Sequence, residues 1–244
     1  MKILKLILIL KIVLSCSSDD VSGSSVVNTL EDYVSGKTIE TGAVIACAAS
    51  ENNTNTVLTF FYPKEGATNV QYFETEDTSV INSNFNSYKK VNLESGPFFN
   101  GYLRFFKTEP TTEKWIIVSY ELDGGIKLSN PIRTKQITKP SVWNTNVTIN
   151  QDLTLMPLFS WEANAFGDNA IYFQVLSDSD NNLISGTYTY DNHFKYYDTT
   201  NVVLNITEGI PPVLINNIMY NYTLMDVSID NWVNLVSQKP FIAE

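Results

Sequence analysis

The sequence predicts an all-β protein: two tandem antiparallel β-sandwiches carried behind an N-terminal signal and a tether. Three observations predict it. The 244-residue chain holds thirteen Tyr, thirteen Phe and four Trp among many Val, Ile and Thr, residue types that pack well on a pleated surface. Short apolar runs recur with turn residues between them and no sustained helical period, the pattern of a sandwich. That pattern breaks over 130–150, at Pro131, Pro140 and the polar run Asn144-Thr145-Asn146, and then restarts. The expected units are 1–15 as a signal, 16–35 as a tether, 36–135 as the first sandwich and 136–244 as the second.

Taken in order, 17–35 is small and polar apart from a brief helical turn at 30–34, the composition of a flexible spacer. Strands are expected at 38–49, 57–62, 70–74, 102–107 and 114–122. Asp123-Gly124-Gly125 then joins the last of these to 126–129, and Asp-Gly between apolar runs is a strong hairpin signal. In the second half the expected strands are 153–155, 158–162, 171–177, 183–190, 194–197, 202–206, 220–229 and 232–236.

The two halves end alike. A long strand leads through Asp123-Gly124-Gly125 to a second strand and Pro131, and another leads through Asp230-Asn231-Trp232 to a second strand and Pro240. Each ending resembles the closing hairpin of a fibronectin-type-III or immunoglobulin-like sandwich. Trp161, in Phe159-Ser160-Trp161, stands where such domains often bury a core tryptophan. The resemblance spans about 200 residues and implies a fold, not a function.

The first twenty residues carry an address. Lys2 and Lys5 precede a run, 6–14, that is apolar except for Lys11, which has the form of a secretory signal. As a helix, 3–15 would rise about 20 Å, short of the roughly 30 Å hydrocarbon core, which argues against a membrane span. Val13-Leu14-Ser15-Cys16 resembles the bacterial lipobox, and the resemblance implies cleavage before Cys16 and acylation of its thiol and new N-terminus. Several acyl chains hold a protein at a membrane stably where one does not. Ser17-Ser18-Asp19-Asp20 is similar to the acidic export signal of Bacteroidetes surface lipoproteins. Together these imply a flavobacterial-type outer-membrane lipoprotein, anchored to the membrane through Cys16 and facing the cell surface.

Charge and cysteine content narrow the function. The chain has 16 basic and 26 acidic residues, a formal charge of −10. Loss of 1–16 would remove Lys2, Lys5 and Lys11 and no acid, leaving 13 basic residues against 26 acidic. Such a chain repels phosphate backbones, so nucleic acid is not an expected partner. Of the two cysteines, Cys47 has no partner once Cys16 carries lipid. Its setting, Val44-Ile45-Ala46-Cys47-Ala48-Ala49, reads as a strand with a small apolar thiol.

Catalytic signatures are weak. His193, the single histidine, sits in a turn-like Tyr190-Asp191-Asn192-His193-Phe194, and a lone acid/base lacks the orienting partner that catalysis needs. There is no G-x-S-x-G or H-E-x-x-H. Gly36-Lys37-Thr38 lacks the upstream glycine of a phosphate loop, Glu31 standing in its place. Asp178-Ser179-Asp180-Asn181-Asn182 offers oxygens of the kind calcium takes. It lacks a turn glycine and a downstream bidentate glutamate, and an Asx-rich hairpin turn accounts for it equally. Glu162, Asp168 and Glu208 do not stand out as a hydrolytic carboxylate pair. Asp198-Thr199-Thr200 resembles a Bacteroidetes O-glycosylation signal. No catalytic, cofactor or metal residue is assigned.

Aromatic side chains are the richest binding signal. Tyr188, Tyr190, Tyr196 and Tyr197 lie with Phe194 within a ten-residue stretch. On an exposed face they would stack on sugars or anchor a partner; on an inner face they are core. The function expected is a non-catalytic binding or accessory module for a glycan or protein partner. A polysaccharide- or peptide-directed hydrolase and a structural spacer of the envelope are the alternatives. Exposure of those four rings separates them.

Overall fold

The computed structural model describes residues 28–244, so the signal, Cys16 and the acidic stretch after it lie outside the described residues. The first half forms α1 (Leu30–Val34), β1 (Ile39–Val44), β2 (Ala46–Ser50), β3 (Val57–Phe61), β4 (Thr68–Glu74), β5 (Lys89–Val91), β6 (Gly96–Phe98), β7 (Leu103–Thr108), β8 (Trp115–Leu122) and β9 (Gly125–Ser129). Three short strands follow: β10 (Ile132–Arg133), β11 (Val142–Asn144) and β12 (Thr148–Asn150). The second half continues with β13 (Leu158–Ser160), β14 (Asn169–Asp178), β15 (Leu183–Thr189) and β16 (His193–Lys195). It closes with β17 (Val202–Asn205), β18 (Met219–Ser228) and β19 (Val233–Ile242).

The fold is all-β. Its strands make four sheets: β1-β9-β8-β4-β5 with β10 added to β8; β2-β3-β7-β6; β11-β19-β18-β14-β15-β17; and β12-β13-β16. Side-chain alternation decides how they stack. Along β8, Ile116, Val118 and Tyr120 meet Phe61 and Phe106 of the second sheet. Ile117 points the other way, with Phe73 and Leu128, onto Leu30, Tyr33 and Val34 of α1. Along β14, Tyr172 and Leu176 face Phe159 and Phe194 of the fourth sheet, while Phe173 and Val175 face Ala49, Phe60 and Leu103 of the second. The result is a helix and four sheets in consecutive layers, with the second and third sheets sharing one apolar core. A strand buried on both faces reads as a continuous apolar run, which is why Trp115-Ile116-Ile117-Val118 and Tyr172-Phe173-Gln174-Val175-Leu176 show so little polar alternation.

Several boundaries differ from the sequence reading. The run 38–49 is two strands. β1 pairs in parallel with β9, β2 antiparallel with β3, and the chain crosses between the first and second sheets at Ile45. Residues 30–34, expected as a brief helical turn within the tether, form a helix with a capping box: the Asp32 N–H donates to Thr29 Oγ1 and the Thr29 N–H to Asp32 Oδ2. Leu30, Tyr33 and Val34 are buried under it, so tertiary packing stabilises a segment whose neighbours are polar. Residues 153–155 are a turn, with Leu155 at φ +58°. β5, β6 and β10 to β12, two or three residues each, were not expected; strands this short leave no period to read.

The chain passes between the two halves through a buried polar junction. Ser50 and Ser141 exchange hydrogen bonds, each backbone N–H donating to the other's hydroxyl at 2.9 and 2.7 Å, and Ser141 Oγ donates to the Val233 carbonyl at 2.6 Å. Trp143 Nε1 donates to the Ser50 carbonyl at 2.8 Å. Trp232, from the turn before β19, is fully buried among Ala48, Val57, Ile116 and Ile132 of the first half. The halves are therefore not beads on a string; each completes the other's interior.

Candidate functional site

Between the loops at one end of the first half and the β15–β17 edge of the second lies an open groove of about 1110 Å³. Ile45, Tyr62, Lys64, Glu65, Tyr102 and Asp123 line it on one side, and Leu183, Ile184, Leu204, Ile206 and Glu208 on the other. Tyr62 directly follows β3 and Tyr102 directly precedes its antiparallel partner β7, which places the two rings side by side. They stack at 5.5 Å with planes 18° apart. The Tyr102 hydroxyl donates to the Ile206 carbonyl at 2.5 Å and so ties one wall to the other. Burial pushes the Tyr102 phenol up to about 12, and Tyr62 and the Glu208 carboxylate add to the shift. It therefore stays a neutral donor across the physiological range.

The turn that presents Tyr102 is strained. Phe99, Asn100 and Gly101 sit at φ +47°, +52° and +92°. Asparagine and glycine tolerate this region, but phenylalanine is a true outlier there. Such strain, of about 1–3 kcal/mol per residue, persists only where the surroundings over-determine it, and it clusters at functional sites. Here Phe99 is buried in the shared core. Asn100 Nδ2 donates to the Asp180 carbonyl at 2.9 Å and to Asn182 Oδ1 at 2.7 Å. Both contacts lock the turn against the second half.

The groove is acidic at its rim, where Glu65, Asp123 and Glu208 are exposed against a single lysine, Lys64. Its deeper surface is apolar and aromatic. It has the makings of a ligand site: a concave apolar surface with a few polar groups along its margin.

The four rings singled out in the sequence do not form a common surface. Tyr196 is fully buried, and its hydroxyl donates to the Pro212 carbonyl at 2.6 Å. Tyr188 stacks on Phe173 at 4.5 Å against the core shared by the second and third sheets, and burial raises its phenol well above the usual range. Tyr197 packs edge-on to Tyr196 at 4.7 Å. Only Tyr190 is in solvent, 67 % exposed, just beyond the end of β15. The expected aromatic patch is thus corrected: the strand period turns Tyr188 inward, and the turn after β15 carries Tyr190 away from it. The groove rings, Tyr62 and Tyr102, were missed because each reads as the end of a strand, and only the packing of the two halves brings them together.

His193 is exposed on β16, and its carbonyl accepts from Asn201 Nδ2 at 2.9 Å. Cys47 is half-buried in the shared core, and burial pushes its thiol up to about 12, so little of it is thiolate. In the 178–182 loop, Asp178 Oδ1 accepts the N–H groups of Asp180 and Asn182, and Oδ2 accepts Asn182 Nδ2. The oxygens that a cation would take are used inside the turn. Asp168 receives Lys139 at 2.8 Å, Lys135 at 3.3 Å and Asn234 Nδ2 at 2.6 Å. Burial opposes its ionisation, but those hydrogen bonds win and hold its carboxyl below the usual range. Lys135 also reaches Asp230 at 2.9 Å. These ion pairs pin the connecting segment to the second half. Among the described residues no cluster of three or more His, Cys, Asp or Glu side chains is placed to hold a metal.

No protein-family model matches the chain, and no curated protein matches it. Solved structures with some likeness include the chicken interferon gamma receptor alpha chain, at 10 % identity over 82 % of this chain and 96 % of that one, with a TM-score of 0.25. The FN1–FN3 domains of chicken CNTN1 match at 13 % identity over 85 % and 68 %, TM-score 0.31. The glycoside hydrolase domain of Endo-D from Streptococcus pneumoniae R6 matches at 9 % identity over 82 % and 33 %, TM-score 0.31. Likenesses this distant say nothing about ligand, partner or activity.

Proposed function

We propose that the protein is a lipid-anchored, outward-facing binding module without catalytic activity, held at the outer membrane through Cys16, that takes its ligand in the groove between its two halves. One observation carries the binding part: both halves contribute side chains to a single concave surface in which Tyr62, Tyr102, Ile184 and Leu204 remain accessible. The shared core and the strained turn at Phe99 hold that surface in one shape, and a preformed surface loses less entropy on binding. The lipobox and the acidic stretch after Cys16 support the anchoring and the outward display.

Each part has its own test. A palmitate analogue should label the wild-type chain in cells and not Cys16→Ser; equal labelling of both removes the anchor. Protease shaving of intact cells should release the described body. For the groove, the full chain in detergent is screened on a glycan array and against purified envelope proteins. A ligand kept by Ile81→Arg, outside the groove, and lost by Ile184→Arg, inside it, supports the reading. A ligand held equally by both variants moves the site elsewhere, and turnover of a polysaccharide or peptide would show an enzyme instead.

A further inference from the structure

The edges of the four sheets are protected unequally. β5 is covered by the chain's own residues: the Lys90 N–H donates to the Asn28 carbonyl at 3.0 Å and Thr29 bridges Lys89. β6 carries Pro97, β1 carries Glu40 with a register shift before Val44, and β16 carries His193 and Lys195. Charge, proline, irregularity and cover are the usual devices that keep an edge from pairing with another chain. β17 reads Val202-Val203-Leu204-Asn205, with no charge and no proline, and its one irregularity is a bulge at Val203. Among the described edges it alone places two adjacent large aliphatic side chains in solvent, Val203 at 48 % and Leu204 at 43 % exposed.

β17 is bonded on one side only, to β15. The Ile206 N–H donates to the Gly186 carbonyl at 2.9 Å, so alternation along the strand turns the N–H and C=O of Asn205 to the free side. Leu204 and Asn205 of β17 are among the residues that line the groove. We propose that the groove receives an extended, lysine-bearing peptide segment of a partner protein, added as a further strand to the open edge of β17. This rests on the groove being the binding site and names its occupant. Main-chain hydrogen bonds to the edge supply affinity, and alternate side chains reach Ile184 and Tyr102. Charge selects a basic partner: Glu65, Asp123 and Glu208 outnumber Lys64 along the rim. A second copy of this chain would bring the same carboxylates and a formal charge of −10 to the contact, which disfavours self-pairing.

The probe is a synthetic peptide of alternating threonine and valine with a lysine at each end, titrated calorimetrically into the full chain in detergent. It should bind and weaken as salt rises from about 50 to about 500 mM, as rim charges are screened. Methylating alternate backbone amides, or exchanging the lysines for glutamates, should weaken it by about tenfold or more, the scale of one or two lost hydrogen bonds. Leu204→Lys should abolish binding. Asn205→Pro should do the same while keeping the fold, since proline is tolerated at an edge whose N–H faces outward; thermal unfolding of both variants checks that fold. Equal binding of the methylated peptide, or unimpaired binding by Leu204→Lys, overturns strand addition. So does self-association that Leu204→Lys abolishes, which would make the occupant a second copy. An oligosaccharide held by the wild type and lost by Ile184→Arg also overturns it, while leaving the groove as the binding site.

Discussion

The two closing hairpins share a local plan and meet opposite fates. In β8–β9 the turn passes through Asp123 at φ +54° and Gly124 at φ +73°. It stays in solvent, and a Cβ on Gly124 would meet nothing within 4 Å. In β18–β19 the turn passes through Asn231 at φ +61° and enters the first half. The Asn231 carbonyl accepts the Ala48 N–H at 3.1 Å, and the Asp230 carbonyl accepts the Arg133 N–H at 3.0 Å. Asn231 Nδ2 donates to the Pro131 carbonyl at 3.1 Å and Trp232 Nε1 to the Lys139 carbonyl at 2.9 Å. What separates the turns is the residue that follows, Gly125 or Trp232, and what lies opposite it. The second sheet offers small side chains at Ala46 and Ala48, which leaves room for an indole. One hairpin tip closes a strand pair and lines a groove; the other fastens two halves into one body.

Breaking the second tip should cost most. Trp232→Ala opens a cavity in the first half's core, and a loss of about 3–5 kcal/mol is expected, read as a lower denaturant midpoint. The wild type should unfold in one transition with coincident circular dichroism and fluorescence; in Trp232→Ala the two signals should separate as the halves uncouple. Asn231→Ala removes the bond to Pro131 and forces alanine into the left-handed region, together worth about 1–2 kcal/mol. Gly124→Ala at the solvent tip should cost only about 1 kcal/mol, from backbone conformation alone. A cost there equal to that of Trp232→Ala would erase the distinction between the two tips.

The smallest effect should be seen only through pH. Asp226, in the β18 strand that leads into the second tip, is 1 % exposed. Burial raises its carboxyl, and the hydrogen bonds from Asn169 and Asn234 offset that only in part. Its Oδ2 and Asn234 Oδ1 find no partner among the described residues. A carboxyl raised on folding stabilises the fold in acid, and that contribution is lost as pH climbs from the unfolded carboxylate range through the raised value. Asp168, held low by its lysines, has the opposite sign: its contribution is present above the ordinary range and lost as pH falls. Asp226→Asn should therefore gain stability relative to the wild type as pH rises above the ordinary carboxylate range. A constant difference across that rise would mean that Asp226 is not penalised by burial.

Much of the fold was legible because it is local. The hairpin at Asp123-Gly124, the turn at 178–182 and the long strands β8, β14 and β18 follow from turn chemistry and apolar runs. Trp161 was singled out as a core residue and is one, packed edge-on to Tyr172 at 5.1 Å. The groove was not legible. Tyr62 and Tyr102 stand forty residues apart and Ile184 and Leu204 lie in the other half; nothing in spacing predicts that they meet. The rings clustered in sequence misled for the same reason, since proximity along a strand does not say which face is covered.

By itself the sequence determined the strand-rich class, the acidic surface and the signal-like N-terminus, because composition, turn propensity and short-range period are properties of neighbouring residues. Tertiary structure alone decided that two sheets share a core, that Trp232 fills the other half's interior, and that β17 keeps an open edge beside the groove. Those outcomes depend on which apolar face finds which partner across a hundred residues or more of chain. Apolar attraction is non-directional, so that choice is made by shape, by where the small residues leave room, and by which edges the chain's own charges and prolines already close.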